Sequence, residues 1–370
     1  MISFDLTKEQ DLVVKSAKEF AAGELRGVSR ECDETGVIPE KVLDKAWEIG
    51  LANAAVPESY GGIGMERSAV TSALVCEELA YGCASLASAI LGPMSFIHPL
   101  IDFGTEKQKK KYLPLYAGEA FEPASMALHE PRHTFDPTDM KTTATKQGGE
   151  WIINGKKRLV PFGSSAHHFL VVARTGEASG LSRLGAFIVG RDAAGLHIDT
   201  DNEKTMGLRS LPCSALTLQD CVVPADDFLG EENGIDGRRL VNSLRIANSA
   251  LCVGLSRAVM DYTIPYAKER IAFGEPIAKK QIIAFYLADM CIETDAMRWM
   301  VWKAASQLDQ GMDGAKAATL AKHYVDQKTM KIADDGVQIF GGHGYIRDFP
   351  VEMWLRNART LTVLEGMIAA

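Results

Sequence analysis

Glu365 is the side chain in this sequence best suited to proton transfer. Its neighbours Val363, Leu364 and Met367 are apolar. Surroundings of this kind keep water from a carboxylate, and desolvation raises the pKa of an acid toward the range in which it works as a general base. The same local sequence is equally compatible with an exposed acid near a fraying end of the chain. The residues around Glu365 therefore leave both interpretations open.

The cysteines and histidines do not form a recognisable metal site. The seven cysteines include no CxxC pair, which would be expected of common zinc centres. Residues 129–133 (His-Glu-Pro-Arg-His) match HExxH in residue types, but that motif binds zinc from a helix, and Pro131 would break a helix there. An odd number of cysteines in mostly apolar contexts indicates buried free thiols in a reducing compartment. We expect no metal ion and a cytoplasmic or comparable reducing location.

The charge and hydropathy patterns argue against two classes of partner. The formal net charge of the 370 residues is -8, and no basic run is longer than residues 107–111. A nucleic-acid-binding surface needs a larger basic cluster. The longest apolar-leaning stretch, residues 86–101, is interrupted by glycine, proline and histidine and is too short to span a bilayer. We expect neither nucleic acid nor a membrane as partner.

The elements that must position Glu365 follow the order helical, β, helical. Apolar residues recur at three- and four-residue spacing at both ends of the chain, which is typical of helices. The middle of the chain has short alternating runs that favour strands. The sequence predicts a mainly α fold with a helical domain at residues 1–121, a small β barrel at 122–232 and a helical bundle at 233–370.

Local signals refine these elements. Thr7 and Gln10 form a capping box that should begin the first helix. Asn154-Gly155 is a strong hairpin signal. In the last third, the spacing predicts helices at about 236–270, 277–310 and 313–340, which indicates a helical bundle.

Four segments, in order along the chain, carry a family resemblance. They are residues 57–65 (PESYGGIGM) with 103–119; 204–230; 245–258 (RIANSALCVGLSRA) with 266–281 (YAKERIAFGEPIAKKQ); and 337–360 (VQIFGGHGYIRDFPVEMWLRNART) with Leu364-Glu365-Gly366. Together they resemble the acyl-CoA dehydrogenase family. The resemblance implies the same α, β, α architecture, with a C-terminal four-helix bundle. It also implies FAD, an acyl-CoA substrate, an electron-transfer flavoprotein as acceptor, and a homotetramer built as a dimer of dimers.

The resemblance also assigns the base. Glu365 matches the Glu-Gly motif whose carboxylate removes the proton next to the thioester, while the flavin takes hydride from the β-carbon. Some members carry the base beside Arg245 instead, but here the three preceding residues include no acid. Arg245 matches an arginine next to the acyl-CoA site, and a salt bridge on a helix face is the equally weighted alternative.

Six residues match the family's contacts with FAD. Arg270 matches the residue that faces the pyrophosphate, where a guanidinium fork suits two oxygens. Phe273 and Gln281 match adenosine-side contacts. Gln338, Gly341 and Gly342 match a segment from the partner subunit, where glycines allow the backbone close to phosphates. Taken singly, Gly341-Gly342 could be an ordinary loop.

The sequence departs from the family where the flavin ring should lie. Two hydroxyl contacts become His129 and Phe135, and a Trp-Ile-Thr-Asn-Gly motif becomes residues 159–163, Leu-Val-Pro-Phe-Gly. Met367 stands in place of a threonine. Leucine cannot stack as tryptophan does, and proline has no N–H to donate. Each hydrogen bond to the ring that is lost in this way should weaken flavin binding by about 1 kcal/mol.

These departures leave several functions open. The first is FAD-dependent α,β-dehydrogenation of an acyl-CoA. The second is a non-redox lyase or isomerase that keeps only proton abstraction by Glu365. The third is a flavin-poor structural subunit in a mixed oligomer with a paralogue. A flavin monooxygenase of the same fold is a fourth, less favoured because it needs no base at Glu365.

Overall fold

Helices build the first third of the chain in the computed structural model, which describes residues 5–370. The capping box is confirmed: Thr7 accepts a hydrogen bond from the Gln10 N–H at 3.2 Å, and the Gln10 side chain accepts one from the Thr7 N–H at 3.1 Å. The helices are α1 (Lys8–Phe20), α2 (Ser29–Thr35), α3 (Glu40–Glu48), α4 (Ala69–Ile90), α5 (Met94–Phe103) and α6 (Glu106–Tyr112).

Helix α4 is the central helix of this region. Among the described residues it alone is long and apolar enough to cross a membrane, and 89% of the tested window is buried inside the protein. Its N-terminus is capped by the Ser68 hydroxyl, which accepts a hydrogen bond from the Thr71 N–H at 3.2 Å. A buried core helix has the composition of a membrane span for the same physical reason, because no face of it meets water.

Seven strands form one curled sheet in the middle of the chain. Their order is β1-β4-β2-β3-β7-β6, with β5 on the free side of β4. The pairs β1–β4 and β2–β4 are parallel, and the others are antiparallel. The strands are β1 (Ala124–Ala127), β2 (Thr143–Gln147), β3 (Glu150–Pro161), β4 (His168–Thr175), β5 (Leu184–Gly190), β6 (Leu196–Ile198) and β7 (Cys213–Pro224).

The predicted hairpin turn at Asn154-Gly155 is wrong. The turn between β2 and β3 is Gly148-Gly149, and Asn154-Gly155 lies inside β3. There the pairing with β7 shifts register, which marks a bulge. The Asn154 amide exchanges hydrogen bonds with Asp220 at 3.0 and 2.8 Å. A Cβ on Gly155 would lie 2.4 Å from the Thr142 hydroxyl, so close packing explains the glycine.

Long helices form the bundle after residue 236, as predicted. Helices α7 (Gly237–Glu269), α8 (Gln281–Asp309), α9 (Ala315–Phe340) and α11 (Val351–Thr362) pack on one another, and α4 packs along α7 and α8. A two-stranded hairpin, β8 (Ile271–Ala272) and β9 (Glu275–Pro276), follows α7, and the short helix α10 (Gly342–Tyr345) follows α9. The predicted mainly α fold with a middle β domain is confirmed. The limits 1–121, 122–232 and 233–370 stay predictions.

A buried charge cluster joins the first helices to the bundle. Arg298 on α8 and Arg257 on α7 both donate to the Glu77 carboxylate of α4, at 2.7 and 2.9 Å. Arg257 also donates to Glu78 at 2.6 Å. Removing one member of such a cluster would leave a buried charge unpaired. The cluster therefore fixes the position of α4 against α7.

Candidate active site

The segment after α11 returns along α7 and carries Glu365 with it. Asn248 on α7 donates from its amide to the Leu361 carbonyl at 3.0 Å and to the Leu364 carbonyl at 3.5 Å. Gly366 has φ +132°, and a Cβ there would lie 2.5 Å from the Leu244 carbonyl oxygen. Contacts on both sides of Glu365 therefore hold its backbone against α7.

The Glu365 carboxylate forms an ion pair with Arg245. The Arg245 Nε donates to Glu365 Oε2 at 2.7 Å, and the two side chains are 16% and 24% exposed. Arg245 also donates to the Thr319 hydroxyl of α9 at 3.1 Å. The sequence neighbours of this carboxylate are apolar, but the fold brings a guanidinium to it from 120 residues away. A salt bridge from Arg245 is present, and its partner is the candidate base itself.

A second carboxylate lies within the electrostatic field of Glu365. Lys322 on α9, one turn beyond Thr319, contacts the Asp326 Oδ2 at 2.5 Å. The other oxygen of Asp326 is buried and has no hydrogen-bond partner. Burial raises the pKa of Asp326 to about 6; Lys322 opposes this rise and the charge of Glu365 adds to it. Sequence analysis missed Asp326, because nothing in its local sequence links α9 to residue 365.

His129 also contacts the Glu365 segment. The Glu365 N–H donates to His129 Nε2 at 3.1 Å, and the imidazole is buried with its ring centroid 5.3 Å from that of Phe135. Burial lowers the pKa of His129 to about 3, and the positive charges of Lys157 and Lys322 act in the same direction. The imidazole is therefore neutral near pH 7. The sequence signal for His129 is its departure from the family pattern.

A fully buried lysine supports the loop that carries His129. The Lys157 ammonium donates to the Leu128 carbonyl at 3.0 Å and lies 3.5 Å from Glu130 Oε1. Burial lowers the pKa of Lys157 to about 8, against the attraction of Glu130. Burial would raise the pKa of Glu130, but Lys157 and the N–H groups of Thr142 and Lys141 lower it overall. These contacts fix residues 128–130 behind the site.

Comparison with known proteins assigns the family. Models of the acyl-CoA dehydrogenase N-terminal, middle and C-terminal domains match residues 7–119, 125–221 and 238–369. The chain belongs to the acyl-CoA dehydrogenase family. It is 36% identical to "Probable acyl-CoA dehydrogenase YngJ" of Bacillus subtilis, over 99% of this chain and 96% of that protein. It is 34% identical to cyclohex-1-ene-1-carbonyl-CoA dehydrogenase of Syntrophus aciditrophicus, over 98% and 87%.

A solved structure agrees with this assignment. Butyryl-CoA dehydrogenase of Megasphaera elsdenii superposes with a TM-score of 0.87 at 31% identity, covering 99% of this chain and 96% of that one. As a member of the acyl-CoA dehydrogenase family, the chain is an FAD-dependent oxidoreductase acting on CH–CH groups. The fold, the enzyme class and the cofactor predicted from sequence are confirmed. These relatives are dehydrogenases, and they do not favour the non-redox alternative.

The six residues predicted to bind FAD lie on one surface at the far end of the bundle. Arg270, Phe273 and Gln281 are exposed at the junction of α7 and α8, and Gln338, Gly341 and Gly342 are exposed at the end of α9. The two groups are neighbours, because the ring of Tyr266 on α7 stacks on that of Phe340 on α9 at 3.8 Å. In the described chain, no hydrogen bond or ion pair joins any of the six to Glu365.

The chemistry of this surface fits the dinucleotide part of FAD. It offers an exposed guanidinium, amide groups and the ring of Phe273, which is 93% exposed. Gly341 has φ +57°, and no heavy atom lies within 4 Å of a Cβ built there, so its backbone is open to a ligand. These features match phosphate and adenine, although the binding roles of the six residues stay predictions.

The backbone of residues 159–163, which replace the family's ring-side motif, is ordered but strained. Leu159 and Phe162 have φ of +53° and +52°, which non-glycine residues rarely adopt. Backbone hydrogen bonds hold both: the Leu159 N–H donates to Glu203 at 3.2 Å, and the Phe162 N–H donates to the Pro212 carbonyl at 2.7 Å. Ser125 donates to the Pro161 carbonyl. Strained backbone of this kind is common at ligand sites.

The thiols and imidazoles are dispersed through residues 5–370. No group of three or more His, Cys, Asp or Glu side chains there could hold a metal ion. The seven cysteines are free, as expected, and six of them are buried. Burial raises the pKa of the Cys76 and Cys252 thiols to about 12, so they are not nucleophiles at neutral pH.

Proposed function

We propose that this enzyme dehydrogenates an acyl-CoA between Cα and Cβ, with Glu365 as the base for the α-proton. The observation that carries the proposal is the Arg245–Glu365 ion pair at 2.7 Å, in a position mostly shielded from water. When bound, FAD supplies the acceptor for the β-hydride. The ion pair fixes the direction of the carboxylate, and a general base must lie within hydrogen-bond reach of the proton that it removes.

The contacts around Glu365 restrict its motion. Arg245 is itself held by Thr319, and the backbone of Glu365 is held by His129. A base that is already oriented does not have to be ordered when the substrate binds, and orientation is a large part of catalytic rate. We infer that these contacts position the Glu365 carboxylate for the α-carbon.

A polar cleft beside Arg245 is our candidate for the CoA part of the substrate. Its volume is about 370 Å³, and it lies between the start of α7 and the loop joining α8 to α9. Arg238, Arg239 and Asn242 line it. Asn242 is one helical turn before Arg245, so the cleft and the base share one side of α7. Two guanidinium groups suit a phosphorylated ligand.

Our candidate for the FAD site is the exposed surface at the far end of the bundle, shared with a neighbouring subunit. It carries Arg270, Phe273, Gln281, Gln338, Gly341 and Gly342. Gly342→Ala tests this surface. A Cβ there meets nothing within 4 Å in the single chain, so the fold should be unaffected. If phosphate lies against this backbone, the dissociation constant of FAD should rise several-fold. An unchanged constant would remove Gly342 from the cofactor site.

Exposed apolar side chains on α8 support the predicted oligomer. Ile282, Phe285 and Ile292 are each at least 56% exposed, and their spacing of three and seven residues puts them on one helix face. Such a face on a soluble enzyme needs a partner. We propose a homotetramer, or a mixed oligomer with a paralogue. An electron-transfer flavoprotein as acceptor, a place in fatty acid metabolism and a cytoplasmic location remain parts of this proposal.

One anaerobic experiment tests the proposed reaction. The purified holoprotein is mixed with a panel of acyl-CoA thioesters that includes butyryl-CoA and cyclohex-1-ene-1-carbonyl-CoA, and the visible flavin band is followed. At least one thioester should bleach the flavin of the wild type, and Glu365→Gln should retain FAD without bleaching. Glu24→Gln, at a surface ion pair with Lys45, is the matched control and should bleach normally. Bleaching of Glu365→Gln at the wild-type rate would refute Glu365 as the base.

A further inference from the structure

Strand β3 contains a second bulge, close to the candidate active site. The pairing of β3 with β7 shifts register between residues 157 and 160, where two residues, Arg158 and Leu159, lie opposite one. This two-against-one arrangement is a β-bulge. The Arg158 N–H donates to the His129 carbonyl at 2.9 Å. The bulge is therefore attached to the loop that contacts the Glu365 segment.

The backbone of the bulge has a conformation that its sequence does not favour. Leu159 has φ +53°, in the left-handed region that only glycine adopts without strain. The bulge also takes the Leu159 N–H out of the ladder with β7, so this donor needs another acceptor. Both features require support from outside the two paired strands.

One carboxylate supplies that support. Glu203 Oε1 accepts a hydrogen bond from the Leu159 N–H at 3.2 Å and another from Arg158 Nε at 2.6 Å. The Glu203 side chain is 10% exposed, and its own N–H donates to the Cys213 carbonyl, at the start of β7, at 2.8 Å. A charged acceptor makes a stronger hydrogen bond than a neutral one. Glu203 therefore ties both residues of the bulge to the strand that they face.

The bulge sets the register of the segment that follows it, residues 160–163. Side chains alternate between the two faces of a strand, so losing the extra residue would turn this segment to the opposite face. In the structure the Phe162 N–H donates to the Pro212 carbonyl at 2.7 Å, and Ser125 donates to the Pro161 carbonyl. These contacts require the register that the bulge sets.

We propose that Glu203 is a positioning residue for the flavin ring, whose carboxylate holds the Arg158–Leu159 bulge and so fixes the face that residues 160–163 present to the ring. This rests on the proposed function, because the family resemblance places the ring of FAD beside residues 159–163. Glu203 acts through the backbone of the bulge rather than through a contact with the ring.

Substitutions at three positions separate the bulge from the ion pair. Glu203→Ala removes the acceptor of the Leu159 N–H, whereas Glu203→Gln keeps an amide oxygen in its place. Arg158→Gln removes the charge of the ion pair and leaves the carboxylate. Asp201→Ala is the matched control, because it removes an exposed carboxylate two residues earlier in the same loop.

Two quantities are measured for each protein. They are the rate of hydrogen exchange of the backbone amides of residues 158–166 in the flavin-free protein, and the dissociation constant of FAD. In Glu203→Ala both should rise by at least about tenfold, the effect of one lost hydrogen bond to a charged group. Glu203→Gln, Arg158→Gln and Asp201→Ala should stay within about threefold of the wild type. Unchanged exchange, or an unchanged dissociation constant, in Glu203→Ala would overturn the proposal.

A second-site substitution tests whether Glu203 acts by opposing the strain of the bulge. Leu159→Gly relieves that strain, because glycine adopts a positive φ without penalty. In a Leu159→Gly background, Glu203→Ala should therefore raise the dissociation constant of FAD by less than about threefold. An equal loss in both backgrounds would assign Glu203 a general role in stability and would overturn the proposal.

A measurement on the wild type does not depend on how the variants fold. FAD at about 100 times its dissociation constant should slow exchange of the amides of residues 158–166 by at least about tenfold. Exchange that is indifferent to FAD would overturn the proposal. None of these measurements uses a thioester, so a wild type that binds FAD but is bleached by no thioester would refute the proposed function and leave Glu203 to be decided by its own results.

Discussion

Replacing Arg245 by glutamine should lower kcat/KM for the best acyl-CoA by about tenfold. The substitution removes the guanidinium that donates to the Glu365 carboxylate at 2.7 Å. A hydrogen bond to a charged group contributes about 1.5 to 3 kcal/mol, and about 1.4 kcal/mol of activation free energy is a factor of ten in rate. Since both side chains are partly open to solvent, we take the lower end of that range.

Without this contact the Glu365 carboxylate can turn, so it must be ordered again in each catalytic cycle, and the loss should fall on kcat more than on KM. Steady-state rates with the best acyl-CoA, at several salt concentrations, provide the measurement. Salt should lower the wild-type rate in the same direction as the substitution, but less.

A suitable control is Arg30→Gln, which breaks an ion pair with Glu352 of similar burial, away from Glu365. It should cost stability without lowering kcat/KM. A kcat/KM of Arg245→Gln within about twofold of the wild type would show that Arg245 does not position the base.

Three further substitutions test parts of the site. Gly366→Ala places a Cβ 2.5 Å from the Leu244 carbonyl, so the rate should fall by more than about tenfold with FAD content kept, while Gly118→Ala, in open space, should change nothing. As the pH rises from about 4 to 6, the wild type should lose about 2 to 3 kcal/mol of unfolding free energy, because the folded state holds the Asp326 proton more tightly than the unfolded state does. Asp326→Asn should not show this loss, and parallel stability curves for the two proteins would contradict the expectation. Lys157→Leu should lower the unfolding free energy by about 3 kcal/mol in urea titrations, since Glu130 keeps its charge and loses a buried partner; equal or higher stability would contradict this.

Much of the fold can be predicted from local sequence. The long helices of the bundle have apolar residues at helical spacing, and that spacing predicts α7, α8 and α9 to within a few residues. The hairpin error at Asn154-Gly155 has a specific cause. Two adjacent glycines at 148–149 provide the actual turn, while Gly155 is required by its close contact with Thr142, a contact that sequence cannot reveal.

The candidate site is only partly predictable. Motif resemblance identifies Glu365 and Arg245, but their ion pair joins residues 120 positions apart. His129 and Asp326 come to the same place from a loop after β1 and from α9. No periodicity or local motif encodes that meeting, because it depends on how the middle sheet docks on the bundle. The polar environment of Glu365 escapes sequence analysis for that reason, as its sequence neighbours are apolar while its spatial neighbours are charged.

Exchange of the substrate α-proton tests Glu365 most directly. The wild type, Glu365→Gln and Glu24→Gln are incubated with acetyl-CoA in deuterated buffer, and deuterium in the acetyl group is followed by NMR. We expect rapid incorporation with the wild type and with Glu24→Gln, and incorporation at the rate of buffer alone with Glu365→Gln. Incorporation by Glu365→Gln as fast as by the wild type would show that another group removes the proton.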